Sequence, residues 1–138
     1  MQSQEQLLFD ERYPASPASV ARARRSVAAA ARRAGLPEDA CWDLMLAVSE
    51  GVTNAVLHGF VGRDPGYVTV KARRRNGDLL VSIEDDGVGL LPRTDSPGLG
   101  LGLPTIAAVT ETMDVRETGD AGVRLSFALP FSPEAALN

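Results

Sequence analysis

Three polar side chains recur at a four-residue spacing within an otherwise apolar stretch of the sequence. Glu50, Asn54 and His58 lie in the segment 43–59, which reads DLMLAVSEGVTNAVLHG. On an α-helix each is rotated by about 40° from the one before, so all three share one face. Burying a carboxylate or an amide without a partner costs on the order of a few kcal/mol. The pattern therefore indicates a helix face that binds a ligand.

Glu50 and Asn54 form the more specific pair within this face. A carboxylate can act as a general base on a hydroxyl or a water, and an amide oxygen is a suitable ligand for Mg²⁺. The alternative is a polar helix face in contact with solvent. His58 is at the C-terminal end of the helix, where an imidazole can simply interact with the dipole or cap a carbonyl, and on spacing alone we favour that structural role.

An acidic, glycine-containing turn follows a predicted strand later in the chain. Asp85, Gly87 and Gly89 form the pattern D-x-G-x-G. Glycine allows a sharp turn and a close approach to a flat ligand, and a carboxylate accepts a hydrogen bond from an exocyclic amine such as that of adenine. Asp-Asp-Gly is also a common composition for an ordinary turn. Taken alone, the motif leaves both interpretations open.

A glycine run precedes the last predicted helix. Gly98, Gly100 and Gly102 alternate with other residues at a point where free backbone N–H groups and the helix dipole favour an anion such as phosphate. The run matches neither the Walker pattern nor the Rossmann pattern. As an isolated signal it is weak.

The periodicity of the sequence predicts strands grouped in hairpins with helices between them. Asn76-Gly77 is a strong signal for a two-residue hairpin, and Ser16 and Pro17 are typical of a helix start. We expect a two-layer α/β sandwich, in which helices cover one face of a mixed, mainly antiparallel sheet. The predicted order is a strand at 7–13, a helix that begins at Pro17 and is stopped by Gly35, a helix at 38–58, strands at 67–74 and 79–84, a helix at 103–112, and strands at 113–118 and 123–130.

Composition restricts the class of protein. The chain has 138 residues, 44% of them hydrophobic and 23% charged, and this predicts a single domain over 1–138 with its core at about 7–130. No apolar run reaches the length of a membrane span, and the polar N-terminus does not resemble a signal peptide, so we expect a cytoplasmic protein without a membrane partner. The net charge of −4 argues against direct nucleic-acid binding. The single cysteine, Cys41, is expected in the core.

Taken together and in this order, SEGVTNAVLHG, IEDDGVG and GLGLPTIAAV resemble the motifs of the GHKL (histidine kinase-like) ATPase superfamily. The closest resemblance is to bacterial anti-sigma factor serine/threonine kinases, and it spans about 7–130. It implies ATP and Mg²⁺ as cofactors, with Asn54 as the Mg²⁺ ligand and Glu50 as the general base. The implied nucleotide-binding residues are Asn54, His58, Asp85, Gly87, Gly89, Gly100, Leu101 and Gly102. By the same resemblance, Asp85 would accept a hydrogen bond from the adenine amine. Gly87 and Gly89 would line the base, and Gly100 and Gly102 would surround the phosphates.

The function that this resemblance implies is phosphorylation of a serine on an anti-sigma factor antagonist, which competes with a sigma factor for the kinase. Members of the family often dimerise, so a homodimer is a further expectation. An alternative is a module that sequesters its partner with weak or no catalysis. The segment 90–97 is shorter than the usual lid of this family and carries Arg93 as its only cation near the phosphates. A detached histidine kinase domain is a third reading. Arg22, Arg25 and Arg32 are the candidates for contact with the partner.

Overall fold

The computed structural model describes residues 5–58, 66–86, 102–110, 112–117 and 122–132. These residues form five strands and three helices. In chain order the elements are β1 (Glu5–Pro14), α1 (Pro17–Arg33), α2 (Glu38–His58), β2 (Tyr67–Arg75), β3 (Asp78–Asp85), α3 (Gly102–Val109), β4 (Thr112–Glu117) and β5 (Val123–Pro130).

The strands form one sheet in the order β1-β2-β3-β5-β4. Every pairing between these described strands is antiparallel, so the parallel contribution expected of a mixed sheet is not found among them. The sandwich of sheet and helices is confirmed. Asn76 has a φ of 54°, as a tight hairpin turn requires, and it joins β2 to β3 where the sequence predicted.

The core lies between the sheet and the helices. Along β2 and β3 buried and more exposed residues alternate, which is the pattern of a sheet with one face covered. The predicted core stripe of α2 is buried at every position: Leu44, Val48, Val52 and Ala55. None of the helices in the described residues is long and apolar enough to cross a membrane.

The first helix begins and ends close to the predicted positions. Pro17 is its first residue, and Gly35, with a φ of 101°, follows its C-terminal end. Ser16 occupies the N-cap position but its side chain makes no capping hydrogen bond. Instead its Oγ lies 3.4 Å from the Oγ of Ser19. The predicted position of the cap is confirmed, and its side-chain hydrogen bond is not.

The largest differences from the predicted bounds are at the end of α3 and the start of β1. Helix α3 ends at Val109 and not at 112, because Thr112 already pairs with Ala128 as the first residue of β4. Strand β1 is longer than expected because its pairing with β2 extends from Glu5 to Pro14, with an irregularity between Leu7 and Phe9. Pairing with a neighbouring strand decides both boundaries.

Candidate functional site

Helix α2 carries the first group of candidate residues. It packs against the sheet, α1 and α3, so most of its circumference is enclosed by other elements. Its acidic first turn, with Glu38 and Asp39, complements the positive end of the helix dipole. The rotation of the helix is fixed by its buried stripe. That rotation directs Asn54 away from bulk solvent and leaves Glu50 half-buried.

Asn54 is the most informative of these residues. It is only 8% exposed, and its Nδ2 atom makes no hydrogen bond to any of the described residues. Buried amides are normally paired, and leaving one group unpaired costs about 1–3 kcal/mol. Rotation of the amide by 180° exchanges its nitrogen and oxygen, so this end of the side chain can present either a donor or an acceptor. The side chain therefore fits a ligand that completes it, including a cation bound through the amide oxygen.

Glu50 and His58 lie one turn before and one turn after Asn54 on α2. The half-buried carboxylate of Glu50 makes no ion pair within the described part of the chain. Such a group is accessible to a second reactant and is free to accept a proton. His58 is the last residue of the helix, as the sequence predicted.

The structure separates the two consecutive aspartates at the end of β3. Asp85 is 6% exposed and is the last residue of the strand. Asp86 is exposed, and its Oδ1 accepts a hydrogen bond from the backbone N–H of Tyr67 at 2.9 Å. The ordinary-turn interpretation thus applies to Asp86, which ties the end of β3 to the start of β2. Asp85, which is buried, is the candidate that the sequence proposed as a ligand-binding carboxylate.

Only the ends of the two glycine-containing motifs, Asp85 and Gly102, fall within the described residues. Gly87, Gly89, Gly100 and Leu101 lie outside the described residues, as does the segment 90–97. Gly102 is the first residue of α3, so the expectation that this glycine stands at a helix start is correct.

One contact of α2 was not anticipated from the sequence. An added Cβ at Gly51 would lie 2.5 Å from Cδ1 of Ile83 and 3.0 Å from Cδ2 of Leu125. Gly51 falls between Glu50 and Asn54, and the helix approaches the sheet closely at this point. Only the spacing of the motif is visible in the sequence, because the two atoms that limit the approach belong to distant strands.

Cys41, the single cysteine, is fully buried, as expected. Burial raises the pKa of its thiol, partly offset by the nearby Arg32, and the Sγ–H points to the carbonyl oxygen of Leu36 at 3.6 Å. A buried thiol with a raised pKa is not a nucleophile at neutral pH. Its burial supports the core role that the sequence predicted.

Two cavities lie near the strands. One of about 310 Å³ is lined by residues of β2, β3, β4 and β5, including Lys71, Ser82 and Ser126, and by no residue of α2. The other, of about 240 Å³, includes Asp85 and Asp86. We assign the candidate site to the side of α2 because the buried Nδ2 of Asn54, which has no partner within the described residues, lies on that helix. The lining of the larger cavity mixes charges of both signs, as is usual for the solvent face of a sheet.

The described residues contain no cluster of three acidic, histidine or cysteine side chains able to enclose a metal ion. This does not conflict with Mg²⁺ at Asn54. Mg²⁺ is usually held by one or two protein oxygens together with water and substrate phosphates, and not by a complete protein cage.

Comparisons with known proteins identify the family of this fold. Residues 13–129 match the family model of the histidine kinase-like ATPase domain. The serine-protein kinase RsbW of Listeria monocytogenes serotype 4a is 38% identical over 87 residues, covering 63% of this chain and 55% of that protein. The anti-sigma F factor of Clostridium kluyveri is 30% identical over 114 residues, covering 75% of this chain and 80% of that protein.

A solved structure of a histidine kinase domain has a similar fold. The histidine kinase domain of the blue-light activated histidine kinase of Erythrobacter litoralis superimposes with a TM-score of 0.62 at 26% identity, over 90% of this chain and 64% of that one. The alignments with the RsbW relatives span a little over half of their length. Because residues 13–129, most of its length, match this family model, the chain belongs to the histidine kinase-like ATPase domain family.

Proposed function

We propose that this chain binds Mg-ATP between α2 and the end of β3 and acts as a protein serine kinase that regulates a sigma factor. The observation that carries the proposal is the buried Asn54 amide, whose Nδ2 has no partner within the described residues. Membership of an ATPase domain family supports a nucleotide as the missing partner. The names of the relatives, a serine-protein kinase and an anti-sigma factor, support the reaction and the pathway.

The roles of the residues follow from their chemistry. Asn54 would hold Mg²⁺ through its amide oxygen, and Asp85 would accept a hydrogen bond from the adenine amine. Mg²⁺ would supply neutralisation of the phosphate charge. His58, Gly87, Gly89, Gly100, Leu101 and Gly102 complete the proposed nucleotide site.

Glu50 is the proposed general base. It would accept the proton of a serine hydroxyl on the protein substrate as that oxygen attacks the γ-phosphorus of ATP. The bond from the γ-phosphorus to the bridging oxygen breaks, and ADP leaves with the negative charge. Transfer of this kind depends on positioning and on neutralisation of charge, so a half-buried carboxylate that stays open to a second protein suits it.

The proposed partners are a sigma factor and the antagonist that competes with it, and the proposed location is the cytoplasm. A homodimer is part of the same proposal. Helix α1 is the candidate for partner contact, because all of its charged residues are arginines while the whole chain has a net charge of −4. Arg22 and Arg25 are exposed, whereas Arg32 is paired with Glu38 at 2.9 Å. An acidic protein surface would be attracted to this helix.

Phosphoamino acid analysis tests the reaction. The purified chain is incubated with Mg²⁺, γ-labelled ATP and a protein extract of the source organism, in parallel with a Glu50→Gln variant. The proposal predicts label on serine with the wild type and loss of that label with Glu50→Gln. Label on histidine would identify a histidine kinase instead. An absence of label would reject phosphoryl transfer and would favour a module that only sequesters its partner.

A pull-down tests the contact surface. Substituting Arg22 and Arg25 by alanine should weaken capture of the partner and leave ATP affinity unchanged, since neither residue lies on α2 or β3. Arg73→Ala is the matched control, because Arg73 is an exposed arginine on β2. Equal capture by all of the proteins would remove α1 as the partner-binding element.

A further inference from the structure

We propose that Gly51 is a positioning residue of the nucleotide site. The absence of a side chain at this position lets α2 lie close to the sheet and so holds Glu50 and Asn54 at the working distance from Asp85. The inference deepens the proposed function and rests on it, because it assumes that α2 and β3 bind two parts of one nucleotide.

The close approach is visible in the contacts that a methyl group at position 51 would make. Its carbon would lie 2.5 Å from Cδ1 and 3.7 Å from Cγ1 of Ile83, and 3.0 Å from Cδ2 of Leu125. Two carbon atoms in contact are normally about 3.5–4.0 Å apart. Both limiting atoms are terminal carbons of flexible side chains, but Ile83 and Leu125 are only 2% and 6% exposed, so core packing restricts their rotation and part of the movement of about 1 Å falls on α2.

The residues that limit this approach are next to the candidate adenine ligand. Ile83 is two residues before Asp85 on β3, so both side chains lie on the inner face of the sheet. Leu125 is two residues after Val123, which pairs with Asp85. On the helix, Gly51 directly follows Glu50 and is three residues before Asn54. The contact thus links the two elements at the level of the site.

A movement of about 1 Å at this contact matters because a bound nucleotide fixes the distance between its base and its phosphates. Productive sites are held to within about 0.5 Å, and a displacement of about 1 Å can cost about a hundredfold in rate. A displaced α2 would present Asn54 and Asp85 at a separation that the nucleotide does not match. We therefore expect Gly51→Ala to weaken Mg-dependent ATP binding, although alanine favours the helix itself.

The packing provides a direct rescue. Ile83→Val removes Cδ1, the atom nearest to the added methyl group, and retains Cγ1 at an ordinary contact distance. The double variant Gly51→Ala/Ile83→Val exchanges one methyl group for another in the same space, and of the close contacts it keeps only that of 3.0 Å with Cδ2 of Leu125. Val81→Ala is the matched control substitution, because Val81 is on the same strand and is buried, but its atoms are not among the three nearest to position 51.

Calorimetric titration with Mg-ATP gives the first measurement. We expect the affinity of Gly51→Ala to fall by about tenfold or more, that of Ile83→Val to stay near wild type, and that of the double variant to return to within about threefold of wild type. Gly51→Ala/Val81→Ala should not recover. If Gly51→Ala does not fold, the double variant still decides the matter, since recovery of both fold and binding requires the exchange of methyl groups.

The second measurement needs no nucleotide. The side-chain amide resonances of Asn54 in the free protein should shift in Gly51→Ala and return in the double variant, which distinguishes positioning from a general loss of stability. If the wild type binds no ATP, the proposed function fails, and this measurement still judges the packing claim. Wild-type affinity in a folded Gly51→Ala protein, unchanged Asn54 resonances, or a double variant that does not recover would each overturn the inference.

Discussion

Ser19 and Asn54 are both polar residues buried beneath the helix layer, and they differ in how their hydrogen-bonding groups are satisfied. Ser19 is 1% exposed, and its hydroxyl donates to the carbonyl oxygen of Pro14 at 2.6 Å. Asn54 is 8% exposed, and its Nδ2 has no partner within the described residues. A buried polar group that the fold completes contributes to stability. One that the fold leaves incomplete points to a ligand.

The largest change in stability is expected at Ser19. Ser19→Ala removes this hydrogen bond where β1 meets α1, while the carbonyl oxygen of Pro14 keeps the backbone N–H of Ser16 at 2.8 Å, so the free energy of unfolding should fall by about 1.5 kcal/mol. Urea unfolding measures the effect. Ser26→Ala is the control, because Ser26 is an exposed serine on the same helix and its loss should change little. Equal effects of the two substitutions would mean that the buried hydrogen bond of Ser19 does not stabilise the fold, which would contradict the comparison.

An opposite and smaller effect is expected at Asn54. Asn54→Leu replaces an incompletely paired buried amide by an apolar side chain of similar size, so the unfolding free energy without nucleotide should rise by about 1 kcal/mol. Thermal unfolding of the nucleotide-free protein measures the effect. Destabilisation as large as that of Ser19→Ala would mean that Asn54 is structural. The comparison would then fail.

The smallest effect is expected for an exposed ion pair. The hydrogen bond from Arg32 holds the pKa of Glu38 below its usual value. A lowered pKa means that the pair contributes stability above the unfolded pKa and loses it as the pH falls through the folded pKa. Glu38→Gln should therefore lower the melting temperature slightly at neutral pH, and the two proteins should converge in acid.

The control for this substitution is Asp39→Asn, which alters the next, exposed carboxylate in the first turn of α2. Asp39 forms no ion pair within the described residues. A difference between wild type and Glu38→Gln that persists unchanged below the carboxylate range, about pH 4, would contradict the assignment.

The sequence was sufficient for much of the fold because the decisive signals are local. The bounds of α2, the turn at Asn76 and the position of Gly35 follow from periodicity, turn chemistry and backbone freedom. The sheet order and the end of α3 depend on strand pairing between distant segments. They could not be read from local pattern.

The candidate site shows the same division. The shared face of Glu50 and Asn54 follows from helical spacing alone. That Asp85 is buried follows from the alternation along β3, whereas the hydrogen bond from the backbone of Tyr67 to Asp86 joins segments almost twenty residues apart and could not be read from local pattern. The constraint at Gly51 depends on Ile83 and Leu125. Trp42, on an apolar helix, is 61% exposed because the sheet, α1 and α3 cover the other sides of α2.

The central claim is that the buried amide of Asn54, whose Nδ2 has no partner within the described residues, marks a Mg-ATP site. Calorimetric titration with ATP tests it most directly. Wild type, Asn54→Ala and Asp85→Ala are titrated with and without Mg²⁺, with Ser26→Ala as the control and circular dichroism as the check on folding. We predict Mg-dependent binding by wild type and Ser26→Ala, weakened by about a hundredfold or more, or about 2.7 kcal/mol, in the other two. Absence of binding by folded wild type at millimolar ATP, or wild-type affinity in folded Asn54→Ala, would contradict the account.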